Sequence, residues 1–170
     1  PGHVATLLTF CRREGLDVVH LRARFDPDMS DWMPRYRLRG RTPCVDGTRG
    51  AEALPFAVEK PDETVIFKQT FEGFHSDDLL LHLMSEGKEF LLTAGLLTAT
   101  CVLFTTASAA QLGFLTAVVE DCCADEPTAH ADTLDRYQFV FDRVTVDRIA
   151  DHHARWAREL EDLAGEERGP

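Results

Sequence analysis

No run of apolar residues in this chain of 170 approaches the roughly 20 needed for a membrane-spanning helix. No charged-then-apolar leader opens it either, so neither a membrane span nor secretory processing is expected. Basic charge is scarce. The 18 Lys and Arg stand against 29 Asp and Glu, for a net charge of −11. That balance excludes the basic surface on which nucleic acids and anionic membranes are bound. The five cysteines are odd in number and include no C-x-x-C pair, which excludes the common zinc spacings and a disulfide framework. Reduced thiols in a cytoplasmic protein are expected. Internal repeats and low-complexity segments are absent. The chain opens on Pro1 rather than Met, and upstream residues are expected to be missing.

With 44% hydrophobic and 28% charged residues, the composition suits one globular domain with a substantial core. A helix is expected over Val4–Glu14, stopped by Gly15, and a strand over Leu16–Leu21. Arg24–Leu54 reads as a long excursion with little regular structure. A strand at Thr64–Phe67 follows, then a helix from Asp77 to Glu86 capped by Ser76. A strand over Glu89–Ala94, a helix over Cys101–Leu112 and a strand over Phe114–Glu120 come next. A helix led by Pro127 runs to about Phe141, a short strand lies near Val144, and a last helix covers Val146–Leu163. Alternating strands and helices joined by short loops predict an α/β fold, a parallel sheet covered on both faces. Sites in such sheets form at the carboxyl ends of strands. Lys68 and Cys101 therefore fall on one edge. Cys101 also lies where a strand turns into a helix, and the N–H groups and partial positive charge there favour a thiolate, which is a nucleophile.

Thr64-Val65-Ile66-Phe67-Lys68, with Phe71, Gly73-Phe74, Leu79 and Leu83, resembles the lysine segment of the isochorismatase-like cysteine hydrolases. Gly95, Thr98, Cys101, Val102, Thr105, Ala109 and Gly113 resemble, in that spacing, the family's nucleophile segment. Val118-Val119-Glu120-Asp121 and His130 also fit its pattern. The resemblance spans about Val4 to Ile149. It implies a three-layer α/β/α sandwich around a mainly parallel sheet and an Asp–Lys–Cys triad, with Cys101 the nucleophile and Lys68 its cationic partner. It also implies a non-proline cis peptide at Leu96–Leu97, oxyanion donors at the N–H groups of Leu97 and Cys101, and Thr98 holding that turn. The family's Asp lies at the end of a first strand before the first helix, and no residue here takes its place. Without that central strand the sheet is expected to show a gap. One domain is expected over 1–163, with a polar tail at 164–170.

The expected activity is metal-independent and cofactor-free hydrolysis of a C–N amide or a vinyl ether in a small carboxylated molecule. The alternative is a non-catalytic member serving as a binding or assembly module. A redox role for Cys101 is weaker, since no resolving cysteine is evident. Phe71, Phe74, Trp32 and Tyr36 are the candidate substrate-pocket residues, and a homo-oligomer is expected. The stretch Leu21–Asp28 has no histidine where nicotinamidases carry their Asp-x-His metal site. Asp26, Asp28 and Asp31 read as solvated loop acids, and His152-His153 as a helix surface. His130 reads as structural, and His20 as core or edge. Cys122-Cys123 read as packing residues, and Cys44 as oxidisable but without a partner. Arg24, Arg35, Arg37, Arg39 and Arg41 share the excursion with Trp32, Met33 and Tyr36. That segment reads first as a loop packed on its own aromatics or on a neighbouring subunit, and second as a lid binding a carboxylate.

Overall fold

The computed structural model describes residues 1–166. Helix α1 (Gly2–Arg13) turns Val4, Leu7, Phe10 and Cys11 inward. Gly15, at φ 67°, ends it, and Leu16 N–H reaches back to Cys11 O at 2.9 Å, closing the last turn. Strand β1 (Val19–Ala23) pairs in parallel with β2 (Thr64–Lys68), Val19 opposite Thr64 and Ala23 opposite Lys68. A second parallel sheet has the order β3 (Phe90–Leu96), β4 (Leu115–Ala124), β5 (Asp142–Val144). Helices α2 (Pro34–Arg39), α3 (Asp78–Ser85), α4 (Leu103–Gln111), α5 (Pro127–Arg136) and α6 (Ile149–Glu166) complete the chain.

The pleat of β4 decides the layers. Ala117 and Val119 face a cluster with Leu7 of α1 and Ile149 and Trp156 of α6. Val118, one residue out of phase, faces Val102, Leu103 and Leu134 at α4 and α5. Helices thus cover both faces of this sheet, the α/β/α arrangement that the alternating pattern predicts. A third cluster joins Leu79 and Leu83 of α3 to Ile66 of β2, Leu21 of β1 and Leu91 of β3. One helix therefore rests on both sheets. No ladder hydrogen bond joins β1 to β3 among the described residues; the sheet is divided there.

Glu63, just before β2, ties three elements together. Its side chain is only 8% exposed and accepts from Arg12 Nε of α1 at 2.6 Å and Nη2 at 2.8 Å. It also lies 2.9 Å from His20 Nε2 of β1. These bonds, with Arg12 the largest contributor, hold its carboxyl far below the usual carboxylate range.

Several elements differ from expectation for local reasons. The first strand begins at Val19, not Leu16, because Asp17 stays in the turn and bonds His82 Nε2 at 2.7 Å. Ser76 does not cap α3: Asp77 holds that position, and the Ser76 hydroxyl donates to Asp78. The β4 strand runs past the expected end at Glu120 to Ala124. Helix α5 stops at Arg136, and Val140 and Phe141 tuck into the core beyond it. The excursion is more ordered than expected, holding α2, a short turn Arg49–Ala51, and a parallel bridge between Phe25 and Val45. Of the expected polar tail at 164–170, residues 164–166 continue α6, and the rest lies outside the described residues.

Candidate active site

The turn bearing Cys101 is built by β3 and the helix that follows. Near its end β3 changes register on β4, from Thr93 opposite Val118 to Gly95 opposite Cys123. Gly95 takes φ 134°, a backbone state that a Cβ would resist. The Leu96–Leu97 peptide bond is cis. Instead of starting at Cys101, the helix begins with a π-type turn over Thr98–Val102 that runs into α4. The Thr106 hydroxyl anchors α4 to the sheet, donating to Val102 O at 2.7 Å and meeting the Thr93 hydroxyl at 2.8 Å.

Lys68, at the carboxyl end of β2, is only 8% exposed. Its ammonium donates to Thr70 O at 2.6 Å, to Phe71 O at 3.1 Å and to Cys101 Sγ at 3.5 Å. An ammonium has three protons to give, and these three acceptors use them. Two acceptors are neutral carbonyls, and no carboxylate pairs with Lys68 among the described residues. The Cys101 sulfur is the one contact able to carry a compensating negative charge.

Aromatic side chains line one side of this pair. Tyr36 of α2 packs edge-on against Phe25, with ring centroids 5.5 Å apart, and against Phe71 at 6.4 Å. Phe71 in turn lies 6.1 Å from Phe104 of α4, a contact the sequence patterns do not single out. Burial raises the Tyr36 phenol above its usual range, and negative charge on Cys101 adds to the rise. Trp32 is tied to its own loop, its Nε1 donating to Asp26 O at 2.7 Å. Phe74 does not join this wall: it stacks on Phe114, at 6.3 Å, within the cluster beneath α3. Cys44 is half-buried, and its thiol is raised by burial and by charge on Cys101, while Lys68 acts in the opposite sense. Cys122 and Cys123 are pushed up to about 12, chiefly by burial, and stay protonated.

The arginines of the excursion divide. Arg24 lies over the Phe67 ring at 3.4 Å, whereas Arg35, Arg37, Arg39 and Arg41 are exposed and make no ion pair among the described residues. Among the same residues, no three His, Cys, Asp or Glu side chains converge on a common metal position. No helix is long and apolar enough to cross a membrane. A cavity of about 270 Å³ lined by Phe90, Phe114, Phe139 and Arg155 opens at the amino ends of the β3–β5 sheet, the edge opposite Cys101.

Known proteins share this construction. The chain is 28% identical over 175 residues to maleamate amidohydrolase from Pseudomonas putida, covering 97% of this chain and 79% of that one. An isochorismatase family protein from Desulfovibrio vulgaris superposes with a TM-score of 0.81 at 28% identity, over 90% of this chain and 83% of that one. N-carbamoylsarcosine amidase from Thermoplasma acidophilum does so with a TM-score of 0.73 at 25% identity, over 86% and 82%. The Isochorismatase domain profile matches residues 2–146, so this chain belongs to the isochorismatase family of hydrolases.

Proposed function

We propose that the chain is a cysteine hydrolase that opens the C–N bond of a small carboxylated amide, with Cys101 as nucleophile and Lys68 as its cationic partner. The observation that carries the reading is the 3.5 Å contact between a buried ammonium and the Cys101 sulfur. A buried cation without a carboxylate favours a thiolate beside it. The names of two relatives, an amidohydrolase of maleamate and an amidase of N-carbamoylsarcosine, support an amide over a vinyl ether.

In this mechanism Cys101 Sγ adds to the amide carbon, and the carbonyl oxygen becomes an oxyanion held by backbone N–H groups. Collapse of the intermediate breaks the C–N bond. The leaving nitrogen takes a proton and departs as ammonia, leaving an acyl thioester. Water then cleaves the thioester, giving a carboxylate and restoring the thiol. The proton must pass through a group near Sγ. The family pattern assigns that group to an Asp on a strand, which the division between β1 and β3 could seat and which these 170 residues do not include. Attack by a thiolate calls for no metal. The aromatic wall of Tyr36 and Phe71 would face the substrate, and the exposed arginines of α2 suit an anionic one.

The test is hydrolysis of maleamate and related half-amides by the protein and its Cys101→Ala variant, with mass spectrometry of the trapped acyl-enzyme. Loss of turnover in the variant and an acyl adduct on Cys101 are expected. Undiminished turnover in Cys101→Ala overturns the covalent route. A second reading, a binding module without catalysis, predicts that the folded protein binds half-amides and never forms the adduct.

A further inference from the structure

Thr98 opens the turn that carries Cys101, and it is 1% exposed. A threonine in a first turn has local backbone groups within reach of its hydroxyl. Here Oγ1 lies instead 2.8 Å from Nδ1 of His130, on α5. Beside it, Ala99 N–H donates to Asp125 Oδ2 at 2.9 Å, while the other Asp125 oxygen accepts from Glu126 N–H at 2.8 Å. Thr100 and Val102 N–H groups both donate to Leu97 O, at 3.2 Å each. Three N–H groups are left over. Those of Leu97 and Thr98 have no partner among the described residues, and that of Cys101 has none outside its own turn.

We propose that His130 is a positioning residue for this site: by holding the Thr98 hydroxyl, it keeps the Leu97 and Cys101 N–H groups free and convergent on the oxyanion, with Asp125 bracing the same turn at Ala99. The proposal rests on the cysteine-hydrolase reading above. Deprived of His130, the Thr98 hydroxyl is free to turn to the unpaired donors of its own turn, and the Cys101 N–H that the oxyanion needs is among them. The side-chain hydrogen bond of His130 among the described residues goes to Thr98 and not to the thiol. Its effect is therefore confined to the step in which negative charge develops on oxygen.

The test compares His130→Phe, which fills the space but cannot hydrogen-bond, with His130→Asn, whose amide places polar atoms near the original Nδ1. One readout is the dissociation constant of a hemithioacetal formed by ¹³C-labelled succinic semialdehyde, in which Sγ adds to the aldehyde carbon and the carbonyl oxygen becomes the bound oxygen. The others are kcat and KM for maleamate and the rate at which iodoacetamide alkylates Cys101, a displacement that makes no oxyanion. In folded His130→Phe, the adduct is expected to weaken about a hundredfold and kcat to fall by a like factor, as for loss of an oxyanion donor. KM and the alkylation rate stay within about twofold, the small change expected where ground-state contacts are retained. His130→Asn recovers most of the loss.

Unchanged adduct stability and kcat in folded His130→Phe overturn the proposal. So does an equal loss in His130→Asn, or a loss seen in KM or alkylation alone. If wild-type protein forms no adduct on Cys101, the cysteine-hydrolase reading fails and takes this one with it. That outcome is distinct from a wild-type adduct that His130→Phe leaves untouched. Should His130→Phe not fold, His130→Leu, which likewise cannot hydrogen-bond, is measured in its place and must show the same hundredfold loss.

Discussion

Replacing Lys68 with Met removes one charge and retains most of the side chain's volume. The ammonium stands 3.5 Å from Cys101 Sγ. Two unit charges at that separation attract by about 5 kcal/mol at an effective dielectric of 20. The thiol is part-exposed, and solvent screening reduces this to about 2 kcal/mol, so loss of the ammonium is expected to slow alkylation of Cys101 about thirtyfold. Stability should change less. The carbonyls of Thr70 and Phe71 lose a donor, a destabilisation of about 1–3 kcal/mol, but a buried cation is removed at the same time. The assay is alkylation by iodoacetamide at pH 7, followed by peptide mass spectrometry, on variants whose fold is checked by circular dichroism. Cys122 and Cys123, pushed up to about 12, serve as internal controls that remain unlabelled in both proteins. A folded Lys68→Met protein whose Cys101 reacts at the wild-type rate refutes the ammonium–thiolate pairing.

Glu63→Gln breaks the bonds from Arg12 and His20 and is expected to lower stability by about 2–3 kcal/mol at pH 7 in urea unfolding. Because the folded carboxyl titrates below its unfolded value of about 4.3, its contribution is present above that pH and is lost as pH falls toward the folded value. The gap between wild-type and variant should therefore narrow steadily as pH falls below about 4; a gap as wide at pH 2 as at pH 7 would contradict this. Gly73→Ala sets a Cβ 2.6 Å from Leu21 Cδ1 and 3.1 Å from Leu79 Cδ2, so it should destabilise by about 1–3 kcal/mol, and an unchanged melting temperature would show that the contact yields freely. Ile149→Ala, at the first position of α6 and 1% exposed, is expected to lose about 2–5 kcal/mol by the same measurement.

Periodicity along the chain located most helices and strands, because each buries one face and the apolar spacing records which. Boundaries were less legible where a side chain overrode propensity, as at Asp17 held by His82 and at Ser76 displaced by Asp77. The Gly95–Cys101 spacing and the strand ending in Lys68 marked the candidate site, since turn geometry and a strand-end lysine leave local signatures. Asp125 left none. Its role depends on β4 running three residues past Glu120–Asp121, where the run of strand-forming residues gives way to Cys122-Cys123. Phe104 was hidden among the apolar positions of α4, and only the packing against Phe71 distinguishes it from a core residue. His130 was visible as a residue but not as a contact, because a hydrogen bond spanning 32 positions has no sequence period.

The two halves of the Cys101–Lys68 pair are borne by different sheets. Lys68 ends β2, in the β1–β2 sheet, and Cys101 follows β3, in the other. No ladder bonds fix the distance between these sheets among the described residues, so side-chain packing must do so. The packing is concentrated at one place. Leu79 and Leu83 of α3 contact the cluster that includes Leu21 of β1 and Leu91 of β3, and Gly73 lies where Leu21, Leu79 and Thr105 of α4 all come within 3.2 Å of a would-be Cβ. A side chain inserted there pushes β1 away from α4, and with it Lys68 away from Cys101. The attraction falls only inversely with distance, and the hydrogen bond, of ordinary length for N–H···S at 3.5 Å, weakens further as the two atoms separate. Gly73→Ala should thus slow Cys101 alkylation as well as lower stability. Gly73 is far from the sulfur along the chain, and its coupling to the thiol arises because, among the described residues, side-chain packing rather than ladder bonds joins β1 to β3.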